Sequence, residues 1–307
     1  FQDDTWFAWI CGLDRKADGL VDKDDDWEDE RNWIKPNPGL GVMVKIKELR
    51  EAAAKAKNDP ASLNSFLRFR MSVWTASAVA WMPMHVWDAN RHTIDRAALK
   101  GKSAIGSLDL STTMDISAFV ALFSPESDDD YWKVVPEFFL PEESIEDRVK
   151  RDRVPYDVWA RQELFNLTQN GRIIDYRVIR EKIREMAEMY RIKEIVYDRW
   201  NSSDLVRDLE EDGFTMIKWG QGFNDMHAPC KRMMELALGG KWGHGGNPVM
   251  RWMASNVVAN VDGAGNIKFD KSKCKEKIDG MQAAAMALGR AMQVPARQYT
   301  VPRVRVC

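Results

Sequence analysis

Two short β-rich runs, far apart in the chain, each end in an aspartate, and this repeated pattern constrains the fold more than any other feature. The first is Ala104–Ser111, Ala-Ile-Gly-Ser-Leu-Asp-Leu-Ser, with Asp109 near its end. The second is Ile192–Asp198, Ile-Lys-Glu-Ile-Val-Tyr-Asp. A third acid, Asp279, opens a long alanine-rich helix. Acids at strand ends and at a helix start can converge on one point, which makes the three candidates for a shared metal site. Taken singly, each has a plainer explanation, because Asp is common where strands stop and its side chain bonds local backbone amides. Spacing alone leaves both readings open.

The chain around these acids alternates in a way that specifies a sheet. Ala104–Ser111, Ile116–Ser124 and Tyr131–Leu140 follow one another through short links and read as an antiparallel meander. An amphipathic helix, Tyr176–Tyr190, leads into Ile192–Asp198, a helix over Ser202–Glu211 and a strand over Phe214–Gly220. Helices alternating with strands argue parallel pairing. Met226–Leu238 and Val249–Asn256 read as helices, Val257–Phe269 as a hairpin and Lys275–Met292 as the last helix, with a stripe of Ile278, Met281, Ala285, Leu288 and Met292. Upstream, Phe1–Leu13 reads as a strand and Asp22–Glu30 as a solvated acidic loop. Trp33–Gly41 is barred from regular structure by its prolines and glycines, and Lys45–Lys57 and Ala61–Val73 read as helices. A domain boundary is placed near Gly101. That gives a smaller, mostly helical segment over 1–100, an α/β domain over 101–294 and a loosely held tail over 295–307.

Composition bounds the partners. The apolar fraction of 45% is that of a globular protein, and no apolar run approaches the ~20 residues that cross a bilayer. The acidic first residues do not make a signal peptide, and a chain that begins at Phe1, inside an expected strand, is expected to be part of a longer protein. Cys11, Cys230, Cys274 and Cys307 make no zinc spacing and read as reduced thiols. The net charge of −2 advertises no nucleic acid, although a local basic groove suffices to bind it. Gly101-Lys102-Ser103 is not a phosphate loop: Arg96 stands where the first glycine belongs, and a strand follows rather than a helix.

Four motifs in order resemble the large terminase subunits of tailed phages. They are Leu108-Asp109-Leu110-Ser111 with Asp115, Tyr197-Asp198-Arg199-Trp200, His244-Gly245-Gly246-Asn247-Pro248, and Lys277-Ile278-Asp279-Gly280 with its alanine-rich helix. The likeness covers essentially the whole chain, with 1–100 resembling the end of the ATPase domain and its connection to the nuclease. The resemblance implies a ribonuclease-H-like nuclease, a mixed sheet of antiparallel meander plus parallel strands flanked by helices. It implies Asp109, Asp198 and Asp279 as catalytic, metal-binding acids. It further implies cleavage of concatemeric double-stranded DNA during genome packaging in the host cytoplasm, at the procapsid portal. Double-stranded DNA, the small terminase subunit and the portal protein are the implied partners. The ATPase core is not in this sequence, so no ATP use is expected of this chain alone.

The chemistry fits that residue set. Two divalent ions about 4 Å apart can activate a water and stabilise a leaving oxygen, and Mg²⁺ or Mn²⁺ prefers carboxylate oxygens, which suits three Asp without a His or Cys cage. Asp115 is a further acid candidate, with a purely structural role as its alternative. Lys268, Lys271, Lys273, Lys275 and Lys277, with Arg199 and His244, are candidates for phosphate contact. The competing readings are a solvated face for the lysines and a structural turn for His244. The rival functions are a stand-alone ribonuclease-H-like resolvase or exonuclease, and a non-catalytic DNA-binding or portal-docking module.

Overall fold

The computed structural model describes residues 11–13, 25–58, 60–73, 81–110, 116–169, 171–198, 203–271, 274 and 277–293. Asp115, Arg199, Lys273, Lys275, most of the strand expected over Phe1–Leu13 and the tail beyond residue 294 lie outside these. The chain divides into two compact units between Pro83 and Met84.

In the first unit, helices α1 (Ile46–Asn58) and α2 (Pro60–Phe69) pack together. Leu49, Ala53 and Ala56 recur at helical spacing on α1 and share a core with Phe66, Met71 and Trp33. Trp27 and Trp33 meet the Phe66 ring edge-on. The acidic stretch is not wholly solvated: Asp25 is buried in an ion pair with Lys35, and Asp29 caps a 3-10 turn over Glu30–Ile34 by accepting from the Arg31 amide.

The second unit begins ahead of Gly101 because α3 (Met84–Ala89) and Asn90 are tied into it. The fully buried Asn90 donates through Nδ2 to the carbonyls of Val86 and Ala237 and accepts from the Trp242 amide. The Arg251 guanidinium makes a forked ion pair with Asp88 at 2.7 and 2.8 Å. No local pattern could reveal such long-range bonds.

The meander is formed by β1 (Ser103–Asp109), β2 (Ser117–Phe123) and β3 (Trp132–Pro141), paired antiparallel in sequence order. Helices α4 (Ile145–Asp152) and α5 (Tyr156–Arg161) follow, then a short strand β4 (Asn166–Thr168) parallel to β3. Helix α6 (Tyr176–Met189), capped by Asp175, returns the chain to β5 (Arg191–Asp198), which lies parallel to β1. Helix α7 (Ser203–Glu211) connects to β6 (Thr215–Trp219), parallel to β5. The described strands order as β4-β3-β2-β1-β5-β6, with β7 (Trp242–Gly243) pairing β3. Helices α8 (Phe223–Leu238) and α9 (Pro248–Asn256), the hairpin β8 (Ala259–Val261) with β9 (Ile267–Phe269), and α10 (Asp279–Gln293) complete the unit. The mixed sheet with helices on both faces is a ribonuclease-H-like α/β fold.

The two faces carry different chemistry. Leu108, Phe119, Ile195 and Tyr197 belong to a core with Ile179 and Ile183 of α6 and Leu205 and Leu209 of α7. Helix α10 covers the opposite face, against β1, β2 and β5. Every residue of β2 is buried, as expected of a strand covered on both sides. Helix α10 is buried all round from Asp279 to Gly289 rather than along one stripe, being enclosed by the sheet, α8 and α9, whereas Met292 is exposed. Its Ala283, Ala284 and Ala287 leave room for that close approach.

Candidate active site

The sheet register brings the carboxyl ends of three parallel strands to one place. In the β1–β5 pairing Leu108 lies opposite Tyr197, so Asp109 comes next to Asp198 across neighbouring strands, a spacing of about 4.8 Å between backbones. A register shift between Ala104 and Gly106, where the β5 partners step from Ile192 to Ile195, sets the alternation. Ile192, Ile195 and Tyr197 thereby face α6 and α7. Asp198 shares the face of its β6 partner Trp219, which packs beside Gly289 of α10. Asp279, the first residue of α10, reaches the same end of the sheet, and a helix N-terminus favours a carboxylate there.

Lys271 joins two of these acids. Its ammonium lies 2.6 Å from Asp109 Oδ2 and 3.0 Å from Asp279 Oδ1. Asp109 is 1% exposed and Asp279 5%. Gln221, just past β6, donates through Nε2 to Asp109 Oδ1 at 3.2 Å. Asp279 Oδ2 is buried with no hydrogen-bond partner among the described residues. Burial pushes the Asp109 carboxyl up to about 7. Lys271 works against that shift, as does the Gln221 amide, while the neighbouring Asp279 charge adds to it. Burial alone would depress the Lys271 ammonium, yet the two carboxylates hold it above the ordinary lysine range.

The hairpin that carries Lys271 is held in place from both sides. Asp262 accepts from the amides of Ala264 and Asn266 and fixes the turn. The Ile267 amide donates to His227 of α8, and Phe269 is buried. Beyond β9, the amide of Val258 donates to Cys274 Sγ and that of Asp270 to the Val258 carbonyl.

The structure thus gathers Asp109 and Asp279 around one cation, with Asp198 on the adjoining strand end. Among the described residues, no group of three or more His, Cys, Asp and Glu already stands as a metal cage. Two expectations need correction. Lys271 is not a free phosphate contact, because its ammonium is taken by the two acids. His244 cannot contact DNA: it is 1% exposed, stacks on Trp87 and has both ring nitrogens engaged. Its Nδ1 accepts from the Gly246 amide at 3.2 Å, which leaves Nε2 to donate to the Trp87 carbonyl at 2.8 Å. Burial lowers its pKa, against the Trp87 carbonyl and Asp88, which raise it. The Gly245-Gly246 pair belongs to this turn because both residues take positive φ, 66° and 70°. Lys268 places its ammonium over the Phe223 ring at 5.1 Å, and Lys277 is half-buried beside α9. Gln221 escaped the sequence reading. The rule that selected Asp198, a polar residue at the carboxyl end of a parallel strand, would have selected it.

A family model described as terminase large subunit, endonuclease domain, matches residues 2–294. The terminase large subunit of Enterobacteria phage HK97 is 33% identical over 271 residues, 88% of this chain and 53% of that protein. Protein YmfN of Escherichia coli strain K12 is 28% identical over 283 residues, 89% of this chain and 62% of that protein. The crystal structure of the HK97 bacteriophage large terminase matches with a TM-score of 0.63 and 32% identity, covering 88% of this chain and 55% of that one. The chain spans between half and two thirds of the length of these relatives. With its mixed α/β fold and its buried acids at a strand end and a helix start, the chain belongs to the terminase large subunit endonuclease-domain family.

Proposed function

We propose that this chain is a divalent-metal-dependent endonuclease that cuts concatemeric double-stranded viral DNA during packaging. The observation that carries the reading is the pair of buried carboxylates, Asp109 and Asp279, drawn from a strand end and a helix start onto a single cation. The residues fit a hard metal: the donors are carboxylate oxygens, an ammonium already stands between two of them, and Asp279 Oδ2 is buried without a hydrogen-bond partner among the described residues. Asp109, Asp198 and Asp279 would hold Mg²⁺ or Mn²⁺, with Asp115 as an additional acid from outside the described residues. When bound, the ions would activate a water and stabilise the departing oxygen of the phosphodiester. Gln221 orients Asp109, and the walls of the site, β1 and α10, exclude bulk water from Asp109 and Asp279. As part of a large terminase subunit, the chain would work in the host cytoplasm at the procapsid portal, with the small terminase subunit and the portal protein as partners.

The test is incubation of the purified chain with covalently closed plasmid and Mn²⁺, beside a chelated control. The expected result is linear product only with metal. A closed circle has no ends, so its cleavage also excludes a pure exonuclease. An intact plasmid under these conditions would favour the non-catalytic docking module.

Two further expectations concern the surroundings of the acids. Gln221→Ala should lower cleavage about 10-fold to 100-fold, the scale for losing a group that orients a metal ligand. Its melting temperature should stay near that of the wild type; an unchanged rate would remove Gln221 from the site. Lys268, Lys273, Lys275 and Lys277, with Arg199, are proposed to contact phosphates without regard to sequence. Replacing the four lysines by Ala should weaken binding to all DNA sequences alike, and each lost contact should flatten the salt dependence by about one unit of slope. Affinity and slope equal to the wild type across a salt series would show that they are only a solvated face.

A further inference from the structure

We propose that Lys271 is the resident counter-cation of the metal-free site, and that a divalent ion must displace its ammonium in order to bind. This rests on the nuclease reading above and adds a step to it: loading exchanges one cation for another. Two carboxylates, 1% and 5% exposed, cannot both stay charged in the interior without a compensating cation. The structure supplies one, the Lys271 ammonium, which uses Asp109 Oδ2 and Asp279 Oδ1 together.

A divalent ion seated between the two acids would draw on the same two carboxylates. A Mg²⁺–oxygen contact of about 2.1 Å is shorter than either ammonium contact, so an ion drawn to the same two oxygens would stand within a few ångströms of the ammonium. The two cations would repel one another across a low-dielectric gap. The ammonium has a way out. The Lys271 side chain is 41% exposed although its two partners are nearly buried, and it projects from the segment just beyond β9 rather than from a helix or the central sheet. A lysine is suited to this exchange because it is a compact charge on a flexible stem, whereas a forked guanidinium would hold both acids more rigidly.

Lys271 therefore acts in two opposed directions. Without metal it keeps the two acids together and the end of the sheet intact. With metal it competes, and so raises the concentration of ion at which the site fills. It is a positioning residue for the metal ligands, and its effect is read on binding and stability without any cleavage measurement.

The experiment uses chelator-stripped protein, wild type against Lys271→Met, which keeps the stem and removes the charge. Mn²⁺ binding is followed by calorimetry and thermal melting with and without Mn²⁺. Lys271→Met should bind Mn²⁺ about tenfold or more tightly than the wild type, within the range by which neighbours of metal ligands tune affinity. It should melt lower than the wild type without metal, and saturating Mn²⁺ should close that difference. Lys271→Arg, which keeps the charge, should not gain affinity, and it serves as the second variant should Lys271→Met fail to fold without metal; tighter binding by the Arg variant would contradict competition by charge. Equal or weaker Mn²⁺ binding by Lys271→Met would overturn the exchange while leaving the metal site standing. No Mn²⁺ binding by any of the proteins would overturn the nuclease reading itself, and the exchange with it.

Discussion

Asp109→Asn should abolish Mn²⁺-dependent plasmid cleavage to within about a thousandth of the wild-type rate, the scale of removing a group that stabilises charge developing in the reaction. The substitution is nearly isosteric. Asn retains an oxygen that can accept from Lys271, and the Gln221 amide can turn to meet the new donor, so both partners of Asp109 are kept. Relief of a desolvated charge offsets the weakened pair with Lys271, so the melting temperature should move little. Asp198→Asn and Asp279→Asn should behave alike. Asp204→Asn, on the exposed face of α7 in a loose pair with Arg207, should cut at the wild-type rate. Retention of more than about a tenth of the activity by Asp109→Asn, in a folded protein, would remove this residue from the chemistry.

Gly280→Ala should damage both stability and cleavage, and cleavage more. A Cβ at Gly280 would lie 2.7 Å from Phe138 Cε1, 2.9 Å from Met250 Sδ and 3.1 Å from Met253 Sδ. The methionine ends can yield, but Phe138 is fully buried on β3 with Phe165 against its edge. Overpacking of this kind costs about 1–3 kcal/mol, partly offset by the roughly 1 kcal/mol that Ala gains over Gly in a helix. The expected net loss lowers the melting temperature by a few degrees, at about 2–4 °C per kcal/mol for a domain of this size. The adjacent residue is Asp279, so any shift of the first turn of α10 moves a carboxylate, and a displacement of about 1 Å at a reacting centre can cost about 100-fold in rate. Melting and cleavage both at wild-type values would show that the contact is softer than the geometry implies.

The parts of the fold written in local periodicity were legible. The meander, the parallel β5–β6 pair and α6 follow from alternation and helical spacing, while the last helix, expected over Lys275–Met292, begins only at Asp279, with Lys277 and Ile278 outside it. β4 and β7, at three and two residues, are too short to carry a period. The first boundary of the nuclease unit depends on Asn90 and Asp88 bonding to residues far along the chain, and a local composition change near Gly101 does not report that. Of the candidate acids, Asp109 and Asp279 are the two that the structure joins through one lysine, and the sequence did not set that lysine apart from its neighbours. Lys271 sits in a run of lysines, and such a run reads as a solvated face or a phosphate track. Only the docking of the β8–β9 hairpin on α8 brings this one lysine to Asp109. For His244 the sequence left a phosphate contact and a structural turn open, and Trp87, arriving from α3 to stack on it, decides for the turn.

The most direct test of the account is a crystal of this chain soaked in Mn²⁺ and measured for anomalous scattering. The account predicts a peak about 2.1 Å from carboxylate oxygens of Asp109 and Asp279, with Asp198 completing the site and the Lys271 ammonium withdrawn from both acids. Carboxylates of the three acids lying more than about 10 Å apart, or Mn²⁺ bound elsewhere with Lys271 still bridging Asp109 and Asp279, would contradict it.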